Sequence, residues 1–422
     1  MINERSLLAI QKNSTEGMCR PLYESYCFSR IPQTIKHLLT GKEGERLPEE
    51  TTEGSSYDLV ILIFVDGFGW RFFEKYKERF PFLMRFVNQG IVSKLTSQFP
   101  STTAAHVTCI NTDLLVGESG VYEWFYYEPL VDRMIAPLLF SFAGDHNPGT
   151  LKESGVATEN FYPKHTFYEN LSKEGITSYV MQNASIAHSP YSSAMFKGAI
   201  QVPFTSTKEA LSNLADLSCK NDGTKKYIYS YFGEIDAAGH RHGIDSSQFE
   251  TTVALFWQQV EEFFWKQLQC KDKKVACLVT ADHGMVPVDP ASTFYLNKEF
   301  PDIERYLKKN RDGDPLAPAG SCRDFFLHIQ EERLHEVKDI LTALLKDKAR
   351  IVLTEDLIQQ GFFGTKNPTE TFLNRVGNLV ILPHEGEGVW WYKKHHFEQH
   401  FYGAHGGLTR HEMEIPFLFL AL

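Results

Sequence analysis

Three short apolar segments of the sequence each end in an acidic residue, and this repeated pattern limits the possible folds more than any other feature. The segments read LVILIFVDG, KYIYSYFGEID and KVACLVTADHG, and their acidic residues are Asp66, Asp236 and Asp282. Near-continuous apolar runs separated by helical stretches are typical of buried parallel strands. Because ligands of open α/β sheets collect at the carboxyl ends of the strands, we expect the three carboxylates to lie in one crevice.

The clearest helix is predicted between the second and third of these strands. Residues 249–269 carry large apolar side chains at helical spacing, which indicates a helix with one buried side. The apolar positions are Phe249, Val253, Phe256, Val260, Phe263 and Phe264. Ser247 and Glu250 have the spacing of a capping box at its start. The aromatic stripe is therefore interpreted as core rather than as a cofactor site.

The region from about 287 to 400 changes character. Pro- and Asp-rich loops open it, and strands (RDFFLHIQ, RIVLTED, GNLVILP, GVWWY) and a helix (RLHEVKDILTALLK) follow. The predicted fold class is α/β: a mostly parallel central sheet with helices on both faces, plus a small α+β cap insertion. We expect an N-terminal extension at 1–56, a core at 57–286 and 401–422, and the cap at 287–400.

Composition and charge exclude some classes of function. The formal net charge of −10 argues against binding of a nucleic-acid backbone, which needs a basic face, but it leaves open a small anionic substrate held by metal ions. No signal peptide is evident, and no apolar run approaches the ~18 residues of a membrane span, so a cytoplasmic protein is expected. The scattered cysteines, without a CxxC pair, are typical of reduced thiols. They are Cys19, Cys27, Cys109, Cys219, Cys270, Cys277 and Cys322.

Three histidines accompany the acidic strand ends. His240 follows Asp236 by four residues, His283 follows Asp282 directly, and His405 lies in the glycine-rich turn YGAHGGL. A single Asp after a strand is more often a cap, and a single His beside Gly is usually a turn residue. The whole set is harder to explain in that way. Three Asp and three His suit Zn²⁺, with Mn²⁺ or Mg²⁺ as alternatives, and two divalent ions would relieve the repulsion between buried carboxylates.

A candidate nucleophile lies in the segment FPSTTAAHVTC, residues 99–109. The hydroxyl residues Ser101, Thr102 and Thr103 precede a helix-like stretch, so they sit where backbone amides and the helix dipole favour an anion. An ordinary Ser/Thr helix cap would explain this segment if it stood alone. Beside a metal site, an alkoxide nucleophile is the better account.

The ordered set of these residues resembles the alkaline phosphatase superfamily, and within it the type I phosphodiesterase/nucleotide pyrophosphatase branch. The matching stretches are VDGFG, FPSTTAAH, DAAGHRHG, TADHGM and AHGGLTRHEMEIP. The resemblance implies two metals, of which the first is held by Asp66, Thr103, Asp282 and His283, and the second by Asp236, His240 and His405. The family's Pro-Thr-x-Thr motif puts the attacking hydroxyl on Thr103, with Thr102 as the fallback. The C/S-x-P-x-R motif of sulfatases is absent.

One region departs from the family pattern. Nucleotide pyrophosphatases carry a phosphate-contacting Asn about twenty residues after the nucleophile, whereas this chain has Glu123 and Trp124 there. The aromatic run from Trp124 to Tyr127 is interpreted as wall packing in preference to direct substrate contact. Ala104, Glu123 and Trp124 are the predicted substrate contacts.

The sequence therefore predicts a two-metal phosphodiesterase or nucleotide pyrophosphatase that acts through Thr103 and a phosphothreonine intermediate. Its substrate would be a small phosphoester or nucleotide-like molecule, not a nucleic-acid duplex. Alternatives within the superfamily are a phosphomonoesterase, a phosphonate hydrolase and a phosphomutase. The alternative outside enzymes is an inactive, metal-stabilised binding protein.

Overall fold

The computed structural model of the protein describes residues 1–15, 17–220, 223–269 and 273–422. The strands of its central sheet and of a smaller second sheet are, in chain order, β1 (Leu59–Val65), β2 (Ile91–Thr96), β3 (Ile176–Met181), β4 (Ala199–Gln201), β5 (Lys225–Phe232), β6 (Val275–Thr280), β7 (Ala319–Ser321), β8 (Asp324–Leu327), β9 (Ala349–Leu353), β10 (Leu379–Pro383) and β11 (Glu414–Ala421).

The central sheet is mostly parallel, as predicted. Within the described residues its strand order is β2-β11-β6-β1-β5-β3-β4. Strand β1 is parallel to both β5 and β6, whereas β11 is antiparallel to its neighbours β6 and β2. Every residue of β1 and β6 is buried, which explains why both read as unbroken apolar runs. The registers pair Phe232 with Val65 and Thr280 with Phe64, so the three strands end level with one another.

Helices pack around this sheet and bury their apolar sides against it. Among the described residues outside 287–400, the α-helices of six or more residues are Glu4–Asn13, Ile31–Thr40, Trp70–Tyr76, Pro81–Gln89, Thr103–Thr112, Phe167–Lys173, Pro190–Met195, Thr207–Cys219, Glu234–His242 and Ser247–Gln259. The last continues as a π-helical turn over Val260–Phe264. Its predicted capping box is wrong, because Ser246 caps the helix by accepting from the amide of Phe249, while Glu250 pairs with Arg79.

The N-terminal segment joins the same hydrophobic core as the sheet. Ile10, Phe28, Ile35 and Leu38 are fully buried within the main apolar cluster. The segment contributes to the core because its two amphipathic helices need a surface on which to bury their apolar sides. The boundary at residue 56 stays a prediction.

The cap insertion is present and has its own small core. Strands β7, β8, β10 and β9 form, in that order, an antiparallel sheet, and the helix Leu334–Leu344 packs against β9. Phe325, Val337, Leu341 and Ile381 belong to a second apolar cluster that includes these elements. Strands β8, β9 and β10 and this helix were predicted from the sequence, whereas β7 lies in a stretch that was expected to be a loop.

A buried ion pair attaches the cap to the core. Arg323, in the turn between β7 and β8, donates to both carboxylate oxygens of Glu412, at 3.0 and 3.1 Å, and both side chains are fully buried. Glu412 in turn accepts from the amides of Gly407 and Thr409. Since a buried charge needs a partner and hydrogen bonds, this network fixes the loop that begins at His405.

Most of the described cysteines are buried. Five thiols are buried outside any disulfide, and Cys270 lies outside the described residues. The five are Cys19, Cys27, Cys109, Cys277 and Cys322.

Within the described part of the chain, no helix is both long enough and apolar enough to cross a bilayer.

Candidate metal centre

The level strand ends bring the predicted acidic residues together. Asp66 follows β1 directly and is buried, and Asp282 lies two residues after β6 and is fully buried. The amide of Gly67 donates to Oδ1 of Asp282 at 3.1 Å, which joins the two strand ends. Asp236 follows β5 and is partly exposed. The crevice predicted from the three apolar runs is therefore present at the carboxyl edge of the sheet.

Asp236 and His240 lie on one helix, although the small residues around them suggest a bend. The helix Glu234–His242 places the two side chains one turn apart, with Nε2 of His240 3.3 Å from Oδ2 of Asp236. The small residues serve packing, because a Cβ atom at Gly239 would lie 2.4 Å from Sδ of Met285. His242, on the same helix, is exposed.

The six Asp and His residues among the predicted ligands form two adjacent clusters. In the first, Nε2 of His283 lies 3.4 Å from Oδ1 of Asp66 and 3.4 Å from Oδ2 of Asp282. In the second, Nε2 of His405 lies 3.7 Å from Oδ1 of Asp236 and 3.2 Å from Nε2 of His240. The rings of His283 and His405 stack with centroids 3.5 Å apart, and ligand atoms of Asp236, His283 and His405 also lie within 4.8 Å of one another.

All three imidazoles present the same nitrogen to the centre. Each Nδ1 lies 2.7–2.9 Å from a backbone carbonyl oxygen, to which it donates, so each Nε2 faces the centre. The pairs are His240 with Gly403, His283 with Gly284, and His405 with Ser101. Burial lowers the pKa of His283 and His405 well below the usual value and keeps them neutral. This carbonyl–imidazole arrangement is the one that orients histidine ligands toward a metal ion.

The carboxylates also present unpaired acceptors to the centre. Oδ1 of Asp66, Oδ1 of Asp236 and Oδ2 of Asp282 are buried without a hydrogen-bond partner among the described residues. Burial raises the pKa of Asp236 and Asp282 to about 7, and burial together with the neighbouring Asp282 raises that of Asp66 further. A cluster of acceptors without donors is unstable unless cations bind it, so these residues fit a divalent metal centre.

Thr103, and not Thr102, faces this centre. Thr103 is the first residue of the helix Thr103–Thr112, and its Oγ1 lies 3.2 Å from Nε2 of His283. The Thr102 side chain is buried and bonds instead to the carboxyl group of Glu123.

Two residues that support the site were not predicted. His106 is fully buried below Thr102: its Nδ1 donates to the Thr102 carbonyl at 2.7 Å, and its Nε2 accepts from the amide of Gln98 at 2.8 Å. Burial lowers its pKa to about 4, so it stays neutral and holds the hydroxyl segment from below. The Tyr231 hydroxyl donates to Oδ2 of Asp66. His106 lies in FPSTTAAHVTC and Tyr231 in KYIYSYFGEID, two segments already singled out in the sequence. Nothing in the spacing of either residue indicated the group to which it would bond.

Two cavities meet at Thr103. The cap cavity, of about 370 Å³, lies between core and cap, with walls that include Glu123, Phe125 and Trp390. The core cavity, of about 240 Å³, lies beside the helix Thr103–Thr112. Both are lined by Thr103, Trp124 and Asp236. Two of the predicted substrate contacts, Glu123 and Trp124, thus line cavity walls, whereas Ala104 is fully buried and lines neither cavity among the described residues.

Glu123 forms a buried pair with a residue that the sequence did not single out. Its carboxyl group bonds to that of Asp324 in the cap, and both residues are fully buried. Burial raises the pKa of Glu123 to about 7, and burial plus the charge of Glu123 raises that of Asp324 further. Two such acids share a proton at neutral pH, because both cannot ionise at contact distance.

The Glu123 carboxyl should make stability depend on pH. Its pKa is about 7 in the folded protein and ordinary, near 4.5, in the unfolded chain. As the pH rises through that window the unfolded chain loses its proton first, so the folded state is progressively disfavoured. Glu123→Gln removes this penalty, and we expect it to stabilise the protein by about 1 kcal/mol or more at pH 8 relative to its effect at pH 4.5. Chemical denaturation at both pH values, at one metal load, measures the difference.

Glu398→Gln is the matched control for this comparison. Glu398 lines the same cavity, but the amide of His395 lowers its pKa, so no gain at high pH is expected. An equal effect of Glu123→Gln at both pH values would show that Glu123 does not change its protonation on folding.

Comparisons with known proteins identify the family and the fold of the chain. The family model described as "Type I phosphodiesterase / nucleotide pyrophosphatase" matches residues 60–408. None of the curated proteins compared with the chain matches its sequence. Among solved structures, murine ectonucleotide pyrophosphatase/phosphodiesterase 5, as an inactive threonine-to-alanine variant in complex with AMP, has a TM-score of 0.62 at 17% identity over 86% of this chain and 87% of that chain.

A second kind of structure is also similar. Phosphonoacetate hydrolase from Sinorhizobium meliloti 1021, in complex with phosphonoformate, has a TM-score of 0.57 at 15% identity, covering 88% of this chain and 90% of that chain. At these identities the structural likeness establishes the fold, whereas the family model spans most of the chain and includes every strand that carries a candidate ligand. The chain therefore belongs to the type I phosphodiesterase/nucleotide pyrophosphatase family of phosphoric ester hydrolases.

Proposed function

We propose that this protein is a two-metal phosphodiesterase in which Thr103 attacks phosphorus and becomes transiently phosphorylated. The observation that carries the proposal is the position of the Thr103 hydroxyl. It lies 3.2 Å from Nε2 of His283, at the first residue of a ten-residue helix. A hydroxyl at that point is close to the helix amides that favour an anion and to the acceptors that suit a cation.

The ligand sets follow from the two clusters. Asp66, Asp282, His283 and the Thr103 hydroxyl would hold one divalent ion, as the family implies. Asp236, His240 and His405 would hold the other, and Zn²⁺ suits these nitrogen and carboxylate donors best. When bound, such ions lower the pKa of a hydroxyl and stabilise charge on a phosphoryl group and its leaving oxygen.

The residues of the chain then divide the remaining work. The helix start holds Thr103 in line with phosphorus, and His106 fixes the backbone beside it through the Thr102 carbonyl. The Oγ1–P bond forms as the bond from phosphorus to one ester oxygen breaks. Water then attacks the phosphothreonine, releases the monoester and returns Thr103 to its hydroxyl form. The inactive threonine-to-alanine variant of the murine neighbour is consistent with a threonine in this role.

The lining of the site favours diesters over monoesters. Among the described residues, neither cavity at Thr103 is lined by a lysine or an arginine. A monoester is close to a dianion at neutral pH, and its extra charge normally calls for a basic partner. Glu123, in the cap cavity, would oppose that charge when ionised.

The first prediction concerns the metals. The purified protein should contain about two divalent ions per chain, and chelation should abolish hydrolysis, because the unpaired acceptor atoms have no other source of charge balance. Asp236→Asn and Asp282→Asn should each lose about one ion, as measured by elemental analysis. Asp245→Asn is the control and should keep both ions. Asp245 is an exposed carboxylate just beyond the helix that carries Asp236. Full activity in chelator, with no metal found, would rule the proposal out.

The second prediction separates the two threonines. Thr103→Ala should lower kcat by about a thousandfold or more, because the attacking oxygen is lost, while metal content and thermal stability stay close to the original. Thr102→Ala is the matched neighbour, one residue earlier and turned toward Glu123, and it should retain most of the turnover. The reverse pattern would transfer the role of nucleophile to Thr102.

The third prediction concerns substrate class. For one aryl leaving group, kcat/KM should be higher for the phosphodiester than for the phosphomonoester at one pH and one metal load. A monoester advantage of tenfold, on the order of 1.4 kcal/mol of transition-state stabilisation, would instead identify a phosphomonoesterase.

A further inference from the structure

Two cavities rather than one open onto the candidate nucleophile. The cap cavity and the core cavity share Thr103, Trp124 and Asp236, and their other walls come from different parts of the chain. Trp124 is 37% exposed and lines both, so it stands where they meet. A phosphodiester has two organic groups that diverge at phosphorus, because in-line attack places one opposite the nucleophile and leaves the other to the side. The shape of the site fits such a molecule.

The walls of the cap cavity are aromatic and acidic. Phe125, Trp390 and Phe397 provide flat apolar surface. Its carboxylates are Glu123, Glu398 and the candidate ligand Asp236. Arg323 directly follows the lining residue Cys322 in the sequence, but it does not line the cavity. Its guanidinium nitrogens donate to Glu412 and to backbone carbonyls of the cap. An additional phosphate group in this cavity would meet carboxylates and, among the described lining residues, no lysine or arginine.

Away from Asp66 and Asp236, the walls of the core cavity are mostly apolar, because several of their other polar groups are satisfied by neighbouring residues. Nε2 of Gln182 donates to Oγ of Ser192 at 2.8 Å, and Oγ of Ser192 donates to the Ile186 carbonyl at 2.8 Å. The Tyr191 hydroxyl pairs with that of Thr108 at 2.9 Å. The remaining space is bordered by leucine and phenylalanine side chains. An apolar cavity of ~150 Å³ holds a benzene molecule, so about 240 Å³ accommodates a substituted ring or a short chain.

We propose that the substrate is a phosphodiester with two uncharged or cationic organic groups, one held in each cavity, and that nucleoside polyphosphates are poor substrates. This inference rests on the proposed phosphodiesterase function and narrows it. During attack, the Oγ1–P bond forms and the P–O bond to one organic group breaks. The Thr103 hydroxyl gives its proton to solvent, and the organic group leaves as an alcohol or phenol after taking a proton from solvent. The exclusion of polyphosphates follows from charge, because their leaving group is an anion with two or more charges.

The charge part is tested with adenosine 5′-(4-nitrophenyl) phosphate and ATP, which share a nucleoside and differ in leaving group. The diester should have the higher kcat/KM by at least about a hundredfold. Glu398→Lys should raise the ATP-to-diester ratio of kcat/KM by about tenfold, since it supplies the missing cation. Glu299→Lys makes the same charge change on the exposed surface of the cap and should leave the ratio unchanged.

The size part is tested with phenyl and methyl 4-nitrophenyl phosphate, which share a leaving group. His396→Trp narrows the cap cavity, and Ile186→Trp narrows the core cavity; both positions are exposed and tolerate a larger side chain. Each variant should lower kcat/KM for the phenyl ester by about tenfold. For the methyl ester, kcat/KM should fall only in the variant whose narrowed cavity holds the nitrophenyl group. The other cavity then holds a single methyl group, which still fits when that cavity is narrowed.

The outcomes separate this inference from the function on which it rests. Hydrolysis of diesters, with ATP cleaved equally well and the ratio insensitive to Glu398→Lys, would overturn the inference alone. So would a bulky variant that affects neither aryl ester, since its cavity would then hold no part of the substrate. Failure of the unmodified protein to cleave any diester would overturn the proposed function itself.

Discussion

Crowding of hydrogen-bond acceptors at one edge of the sheet is the constraint on which the rest of this structure depends. Three carboxylates and three imidazoles face one another, and each imidazole turns its Nδ1 away to a backbone carbonyl. Such a cluster costs free energy in an apolar surrounding unless cations occupy it. The surrounding structure is therefore arranged to hold these groups in place: carbonyls orient the imidazoles, and parallel strands of matched register hold the carboxylates level.

The cap contributes to the site in two ways. The Arg323–Glu412 ion pair fixes the loop that carries His405, so a candidate metal ligand depends on a contact between cap and core. The Glu123–Asp324 acid pair spans the same boundary and lies against Thr102, next to the candidate nucleophile. Because both pairs are buried, small movements of the cap would disturb the geometry around Thr103. The cap therefore completes the candidate site and also forms one side of the cap cavity.

Charge connects the candidate site to its substrate. The carboxylates that suit metal ions also repel anions, and among the described residues lining the two cavities no lysine or arginine offsets them. A family that includes nucleotide pyrophosphatases can thus contain a chain whose cavities suit organic groups better than additional phosphates.

The sequence by itself determined the parallel strands, the cap and the identity of the candidate ligands, because each depends on local patterns of apolar and acidic residues. Buried strands need unbroken apolar runs, and ligands at strand ends need only the next few positions. The tertiary structure alone decided which threonine faces the centre, because Thr102 and Thr103 are adjacent and differ only in direction. It alone also revealed the partnership of Glu123 with Asp324, since residues 201 positions apart carry no signal of contact in one sequence. Long-range packing fixed these features, and packing is a property of the whole fold.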